Sequence, residues 1–340
     1  MLLWPASLLY GLAAWVRAWC YLRGWRRSRR LQKPVICVGN LTVGGTGKTP
    51  MTIWIAQRFA QQGRRVGILT RGYKGGRVGH GDQGSAVVRS DEARLMEASL
   101  PRDLVRIGVG ADRLASGHKL ESWADHFILD DGFQHLRLAR DADVVLIDAL
   151  EPFGGNHLLP AGNLREPKSA LGRADVVVIT RSSRSPAIEA VVRRYSQSPI
   201  FYATVKIDAP KLYGRSAAIA TGDSAANTVA PKFFAFCGIG NPRGFIADLH
   251  HAEISVAGHE FFHDHHRYSA RDMRALQLAA RDAGADGLLC TEKDLFNLED
   301  VALPSIPLWF CTMQLELNDS AGFWEALMAA LASRRISAQP

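Results

Sequence analysis

The sequence predicts an α/β protein built from two parallel-sheet domains. Three observations carry this expectation. Short, continuously apolar, β-branched runs alternate with helix-length stretches, the pattern of parallel strands buried on both faces and joined by crossover helices. The first such run ends in a glycine-rich loop that opens a helix. The 340 residues also exceed what one hydrophobic core comfortably organises.

Strand-like runs fall at 35–38, 66–69, 104–109, 127–129, 144–147 and 176–179, with helices expected at 50–62 and 91–99. The rhythm falters from 182 to 231, where Ser182-Ser183-Arg184-Ser185-Pro186 precedes alternating segments at 201–207 and 216–220. A second rhythm begins at 233–237. It continues through helices at 242–250 and 270–283, strands at 287–290 and 308–311, and a closing helix at 320–333. The expected organisation is residues 1–30 as a helix with a basic cluster, 31–205 as the first α/β domain, 206–230 as a β-rich linker and 231–340 as a smaller second α/β domain.

Residues 1–16 are almost wholly apolar, with Trp4, Tyr10 and Trp15 among leucines and alanines, and Arg23, Arg26, Arg27, Arg29 and Arg30 follow. A secretory signal carries its charge before the apolar run, so this order argues against one. The run is shorter than the roughly 20 residues that span a bilayer. Tryptophan favours the membrane interface and clustered arginine favours anionic headgroups, so a membrane-embedded or interfacial helix is expected. A buried packing helix is the competing reading. The net charge of +8 favours anionic partners. The five scattered cysteines form no C-x-x-C pair, which excludes a disulfide framework and fits a reducing cytosol.

The strongest chemical signal is the run from Gly39 to Pro50, lying between a strand and a helix. That context makes it a phosphate-binding P-loop and the first domain P-loop NTPase-like. Thr42-Val43-Gly44-Gly45-Thr46-Gly47-Lys48-Thr49 is expected to bind nucleotide, with Lys48 reaching the β- and γ-phosphates and the Thr49 hydroxyl taking Mg²⁺. A strict G-x-x-x-x-G-K-T motif would place glycine at Thr42. Partitioning-type ATPases carry a lysine where this chain has Val43, which argues against their dimerising switch. A carboxylate for the metal is expected at the end of a neighbouring strand. Asp130-Asp131 and Asp148 both fit that position by pattern, and the first is preferred because Gly132, Gln134 and His135 cluster beside it.

With these residues in view, the chain resembles the tetraacyldisaccharide 4′-kinases of Gram-negative bacteria, over most of its length. The resemblance rests on Gly39 to Pro50, Arg71-Gly72-Tyr73, Asp130 to His135, Leu158-Leu159-Pro160-Ala161-Gly162 with Leu164-Arg165-Glu166-Pro167, Phe236 to Pro242, Asp264-His265-His266-Arg267-Tyr268, and Thr291-Glu292-Lys293-Asp294, taken in that order. It implies transfer of the γ-phosphate of ATP, with Mg²⁺, to the 4′-hydroxyl of a tetraacylated glucosamine disaccharide 1-phosphate in lipid A biosynthesis. It also implies action at the cytoplasmic face of the inner membrane, and two α/β domains with the active site in the cleft. By the same resemblance, Asp130 and Asp131 serve the metal alongside Thr49. Arg71, Tyr73, Gln134, His135, Arg165 and Glu166 line the substrate site. Asp91 and one of His265 and His266 form the catalytic base beside Lys48. The chain departs from the family in placing Ala93, not proline, after Asp91-Glu92.

Other readings compete. Asp91 could serve only the helix dipole, and His259, His263, His265 and His266 with Asp264 could bind a metal, although their spacing fits no standard zinc pattern. A membrane-tethered NTPase switch without a lipid substrate is the alternative function. A GTPase is disfavoured, because the guanine-reading motif needs a residue between Lys293 and Asp294. A nucleic-acid partner is not expected, since no basic-aromatic recognition module occurs.

Overall fold

A computed structural model describes residues 3–72, 90–214, 230–298, 301 and 305–337. The chain forms two compact units, Met1–Thr204 with Leu315–Pro340, and Val205–Gln314.

The first unit opens with α1 (Trp4–Leu22), which has proline at its first turn. It then runs β1 (Val35–Asn40), α2 (Lys48–Gln61), β2 (Val66–Thr70), α3 (Asp91–Ser99), β3 (Val105–Val109), α4 (Arg113–Leu120), β4 (His126–Asp130), β5 (Ala142–Asp148), β6 (Val176–Thr180), α5 (Pro186–Arg193) and β7 (Ile200–Ile207). Six strands pair in parallel in the order β6-β5-β1-β4-β2-β3, and β7 extends this row beside β6. The strands read as apolar runs because both faces are covered. Alternate residues point to opposite faces. Ile36, Val38 and Ile68 pack with Met51, Ile55 and Phe59 of α2, while Cys37, Leu69 and Leu129 pack with Phe127, Phe133 and Leu171.

In the second unit a smaller sheet is ordered β10-β9-β11-β12-β8. Its elements are β8 (Lys211–Leu212), β9 (Phe233–Cys237), α6 (Pro242–His251), β10 (Val256–Phe261), α7 (Ala270–Asp282), β11 (Gly287–Thr291), the one-turn α8 (Glu292–Leu295) and β12 (Leu308–Cys311). Phe245 and Leu249 of α6 pack with Phe233 and Leu289, whereas Met273 and Leu276 of α7 pack with Phe234 and Leu288, so the two helices cover opposite faces.

The chain then returns. β13 (Met313–Leu317) joins the larger sheet beside β7, and α9 (Ser320–Ser337) buries Phe323, Leu327 and Leu331 against α2 and the sheet. The sequence reading placed 231–340 in one domain, yet residues from Leu315 onward belong to the first unit. The α/β rhythm was expected to falter from 182, with no helix there. Pro186 instead opens α5 at its first turn, where a missing N–H costs nothing. The expected linker at 206–230 overlaps only the end of β7 and the short β8, and 215–229, with the strand expected at 216–220, lies outside the described residues.

No helix among the described residues is long and apolar enough to cross a membrane. α1 lies along the first unit by one face. Its buried Ser7 donates to the carbonyl of Leu158 (2.6 Å), Tyr10 donates to that of Arg165 (3.1 Å), and a side chain at Gly11 would collide with Leu158. Its other face leaves Leu8, Leu9, Leu12 and Trp15 more than half exposed. The competing expectation of a buried packing helix is met on one side only.

Candidate active site

The site gathers where β1, β4 and β5 end, beside the strand at which the order of connection reverses, the usual ligand position in open α/β sheets. β1 runs into the P-loop, and α2 begins at Lys48 after Gly47, which holds φ = +89°. That left-handed geometry favours glycine. The loop's first limb is stitched to the 158–166 segment: Val43 N–H donates to the Asn163 carbonyl (2.8 Å) and Arg165 N–H to that of Leu41 (2.7 Å). Thr42, where a strict motif has glycine, is buried and bridges antiparallel to Leu164. The departure thus has a structural reason, since residue 42 serves as a short strand partner and not as a turn.

Lys48 is nearly buried. Its Nζ donates to the Gly44 carbonyl (3.2 Å) and lies 3.7 Å from Asp131. Asp131 sits in the left-handed region (φ = +48°) directly after β4, and Arg165 reaches both of its carboxylate oxygens at 2.8 and 3.0 Å. Burial works against ionisation there, but Lys48 and then Arg165 hold its pKa below the usual carboxylate value. Arg165 continues to Gln134 Oε1 (3.4 Å), Gln134 Nε2 donates to the Asn40 carbonyl (2.9 Å), and Glu166 pairs with Arg173 (2.6 Å). The turn 131–134 approaches β1 so closely that a Cβ on Gly39 would lie 2.6 Å from Phe133 Cβ.

Asp130 is the reverse of its neighbour. It is buried, accepts one hydrogen bond from the Thr52 hydroxyl (3.0 Å), and its pKa is pushed up to about 7 by burial, then by Glu92 and Asp131. Among the described residues no three His, Cys, Asp or Glu side chains converge as a self-contained metal site. Two carboxylates, one of them buried and short of positive charge, fit a hard divalent ion that keeps water and phosphate oxygens in its shell, as Mg²⁺ does. The raised pKa has a testable consequence. Ionisation is resisted in the fold, so the cost to stability is absent below about pH 4, grows as pH rises towards 7, and is complete above it. Asp130→Asn is expected to raise the melting temperature of the nucleotide-free protein at pH 8 by a few degrees, at about 2–4 °C per kcal/mol. The gain should shrink at pH 5. Calorimetry giving an equal or lower melting temperature at pH 8 would overturn this reading of Asp130.

Asp148, the other acidic strand end, is structurally committed: Arg181 pairs with it at 2.6 Å and Leu150 N–H donates to it at 3.0 Å. The sequence reading missed Thr52 and Arg113. Arg113 is 8% exposed, its Nε has no hydrogen-bond partner among the described residues, and burial and Arg71 lower its pKa while Asp131 and Asp130 oppose this. Nothing in Asp112-Arg113-Leu114 distinguishes it from an ordinary helix start. Asp91 is the first residue of α3, whose cap is Ser90 accepting from Ala93 N–H (3.4 Å). Arg71 is exposed, and Tyr73 lies outside the described residues.

In the second unit the histidines follow β10. His266 has both ring nitrogens engaged, Nδ1 with His263 Nε2 (3.0 Å) and Nε2 with Asp272 (3.2 Å). His265 adopts φ = +60°, its N–H donates to the Gly238 carbonyl (3.0 Å), and its ring lies 3.6 Å from Asp264, which is 3.6 Å from Lys293. Asp294, the superficial guanine-reader, is buried and accepts from Gly238 N–H, the Tyr268 hydroxyl and Thr291. It pins the histidine loop to the end of β9.

The family described as tetraacyldisaccharide-1-P 4′-kinase (LpxK) matches residues 1–332. Tetraacyldisaccharide 4′-kinase of Pelobacter propionicus is 36% identical over 96% of this chain and 91% of that protein. The protein of the same name from Syntrophobacter fumaroxidans is 41% identical over 80% of this chain and 73% of its own length. The crystal structure of LpxK from Aquifex aeolicus in complex with ATP superposes with a TM-score of 0.68, at 27% identity, covering 97% of this chain and all of that one. With a phosphate loop, paired aspartates and matching motifs along its whole length, the chain belongs to the tetraacyldisaccharide 4′-kinase family.

Proposed function

We propose that the chain's own residues divide the kinase reaction as follows. The family's activity is ATP-dependent phosphorylation of the 4′-hydroxyl of a tetraacylated disaccharide 1-phosphate, and the observation that carries it here is the continuous chain Lys48–Asp131–Arg165–Gln134. Backbone N–H groups of residues 44–49 cradle the ATP phosphates, and Lys48 neutralises charge on the transferred group. Mg²⁺, held by Thr49, Asp130 and Asp131 with phosphate oxygens, supplies further charge neutralisation when bound. Arg165 holds Asp131 in its strained conformation, and Glu166, Gln134 and His135 meet the acceptor sugar. Asp91 and His265 remove the proton of the attacking hydroxyl. His266 is less suited to that role, because His263 and Asp272 occupy its ring. The NTPase-switch alternative is not favoured by the family. The deciding assay is ATP-Mg²⁺ with the tetraacylated acceptor in detergent: ADP should form one-to-one with a new phosphomonoester, and ADP formed equally without acceptor would overturn the kinase reading.

The same reading places the protein on the cytoplasmic face of the inner membrane, through the exposed face of α1. Deleting the first 30 residues would be a blunt test, since Arg30 pairs with the buried Asp141 and Ser28 donates to the Leu136 carbonyl. The triple variant Leu8→Gln, Trp15→Gln, Trp25→Gln touches only exposed positions. Each large apolar side chain contributes roughly 1.5–3 kcal/mol on full burial, so vesicle co-sedimentation should fall by at least about tenfold. Unchanged partition would assign membrane attachment to another surface.

A further inference from the structure

Three aspartates stand at the ends of β4 and β5, and they differ in how much of each carboxylate is already engaged. Arg165 reaches both oxygens of Asp131, at 2.8 and 3.0 Å. Asp148 accepts from Arg181 at Oδ2 (2.6 Å) and from Leu150 N–H at Oδ1 (3.0 Å). Asp130 accepts at Oδ1 alone, from the Thr52 hydroxyl (3.0 Å), and its Oδ2 has no hydrogen-bond partner among the described residues. Both members of this pair are closed off, Thr52 at 0% and Asp130 at 2% exposure.

Thr52 lies on the buried face of α2, beside Met51, Ile55, Ala56 and Phe59. A valine of the same shape would fill that place. The hydroxyl is the part of the side chain that packing does not explain. A threonine inside a helix commonly turns its hydroxyl back to the carbonyl of the preceding turn, but this one donates across to β4. Thr52 also follows Thr49 by three residues, so the two hydroxyls share one side of α2. The number of free carboxylate oxygens matters to a divalent ion. Mg²⁺ demands near-octahedral geometry and keeps much of its water, whereas Ca²⁺ gathers roughly six to eight oxygens and takes a carboxylate through one oxygen or both.

We infer that Thr52 is a positioning residue which, by occupying Oδ1, presents Asp130 to the metal as a one-oxygen ligand and so biases the site towards Mg²⁺ and against Ca²⁺. The inference rests on the metal assignment made above for Asp130. Thr52 touches neither the nucleotide nor the ion in this arrangement and acts only through the carboxylate that it holds. Outer hydrogen-bond partners of this kind orient the groups that meet a metal and tune its affinity. Without the hydroxyl both oxygens of Asp130 are free, which suits the larger and more permissive ion.

The test reads metal binding and not turnover. The full chain is saturated with a non-hydrolysable ATP analogue and Mn²⁺, and protein-bound Mn²⁺ is displaced with Mg²⁺ or with Ca²⁺ while electron paramagnetic resonance follows it. In Thr52→Val the ratio of Mg²⁺ to Ca²⁺ affinity should fall by about tenfold, the lower end of what losing such a partner costs a metal site. Thr52→Ser keeps the hydroxyl and should keep the wild-type ratio. Thr52→Cys, close in shape and a weak donor, should fall between the two, and it carries the test if the valine variant does not fold. An unchanged ratio in the valine or cysteine variant would overturn the inference. An equal loss for both ions would reduce Thr52 to a packing role, and a serine variant that behaves like valine would assign the effect to the γ-methyl; each overturns it as well. Asp130→Asn tests the underlying assignment separately. It should weaken protein-bound Mn²⁺ itself, and Mn²⁺ held as tightly as in wild type would remove Asp130 from the metal site and the inference with it.

Discussion

Lys48→Ala is expected to leave the fold intact and to lower turnover by about 10²- to 10³-fold, the loss typical when one preorganised transition-state donor is removed. The Lys48 side chain is 13% exposed, and its ammonium is held between the Gly44 carbonyl and Asp131. It is therefore already placed before nucleotide arrives, and little reorganisation is left for the chemical step. Asp131 keeps Arg165 in the variant, so no buried charge is orphaned and the melting temperature should barely move. Because Lys48 bonds the loop that it also completes, ATP affinity should weaken less than kcat falls. Steady-state kinetics with the acceptor, alongside a thermal melt, checks both halves. Turnover within a few-fold of wild type would remove the P-loop from the mechanism.

Asp91→Asn is expected to lower kcat by about 10²- to 10⁴-fold, the usual contribution of a general base, while the ATP dissociation constant stays nearly constant. The cap of α3 does not depend on this carboxylate, since Ser90 already accepts from Ala93 N–H. The helix should survive the substitution, which separates a chemical role from a structural one. His265→Ala should lose a similar factor and His266→Ala less, because His266 is tied to His263 and Asp272. If Asp91 and His265 serve the same proton transfer, the combined variant should be little worse than either alone, as groups acting together are non-additive. Multiplicative losses would show two independent roles, and a large rise in the ATP dissociation constant for Asp91→Asn would move Asp91 to the nucleotide or metal.

Much of this was legible in the residue pattern. The strands of both sheets that are buried on two faces announce themselves as continuous apolar runs, and 91–99, 233–237 and 308–311 were read with the bounds that the structure has. What escaped had physical reasons. β10 (Val256–Phe261) and β13 carry exposed residues on an edge, so their sequences mix polar and apolar character. The serine-rich approach to Pro186 resembles a loop because residues that cap helices also make turns. The P-loop and the aspartate pair were readable because close backbone approach and metal charge demand particular residue types. The tasks of Thr52 and Arg113 depend on what the fold brings beside them, which no local spacing encodes.

The return of the chain to the first sheet has a consequence for synthesis. The strand β13 and the side chains Phe323, Leu327 and Leu331 complete the core beneath α2, and Arg334 pairs with Asp143 and Asp175 at the base of β5 and β6. In chain order these residues come after the whole of the second unit. A chain made only as far as the end of the second unit therefore has a P-loop sheet that still lacks an edge strand and a covering helix. A product that stops short of β13 would hold a P-loop without a finished platform beneath it.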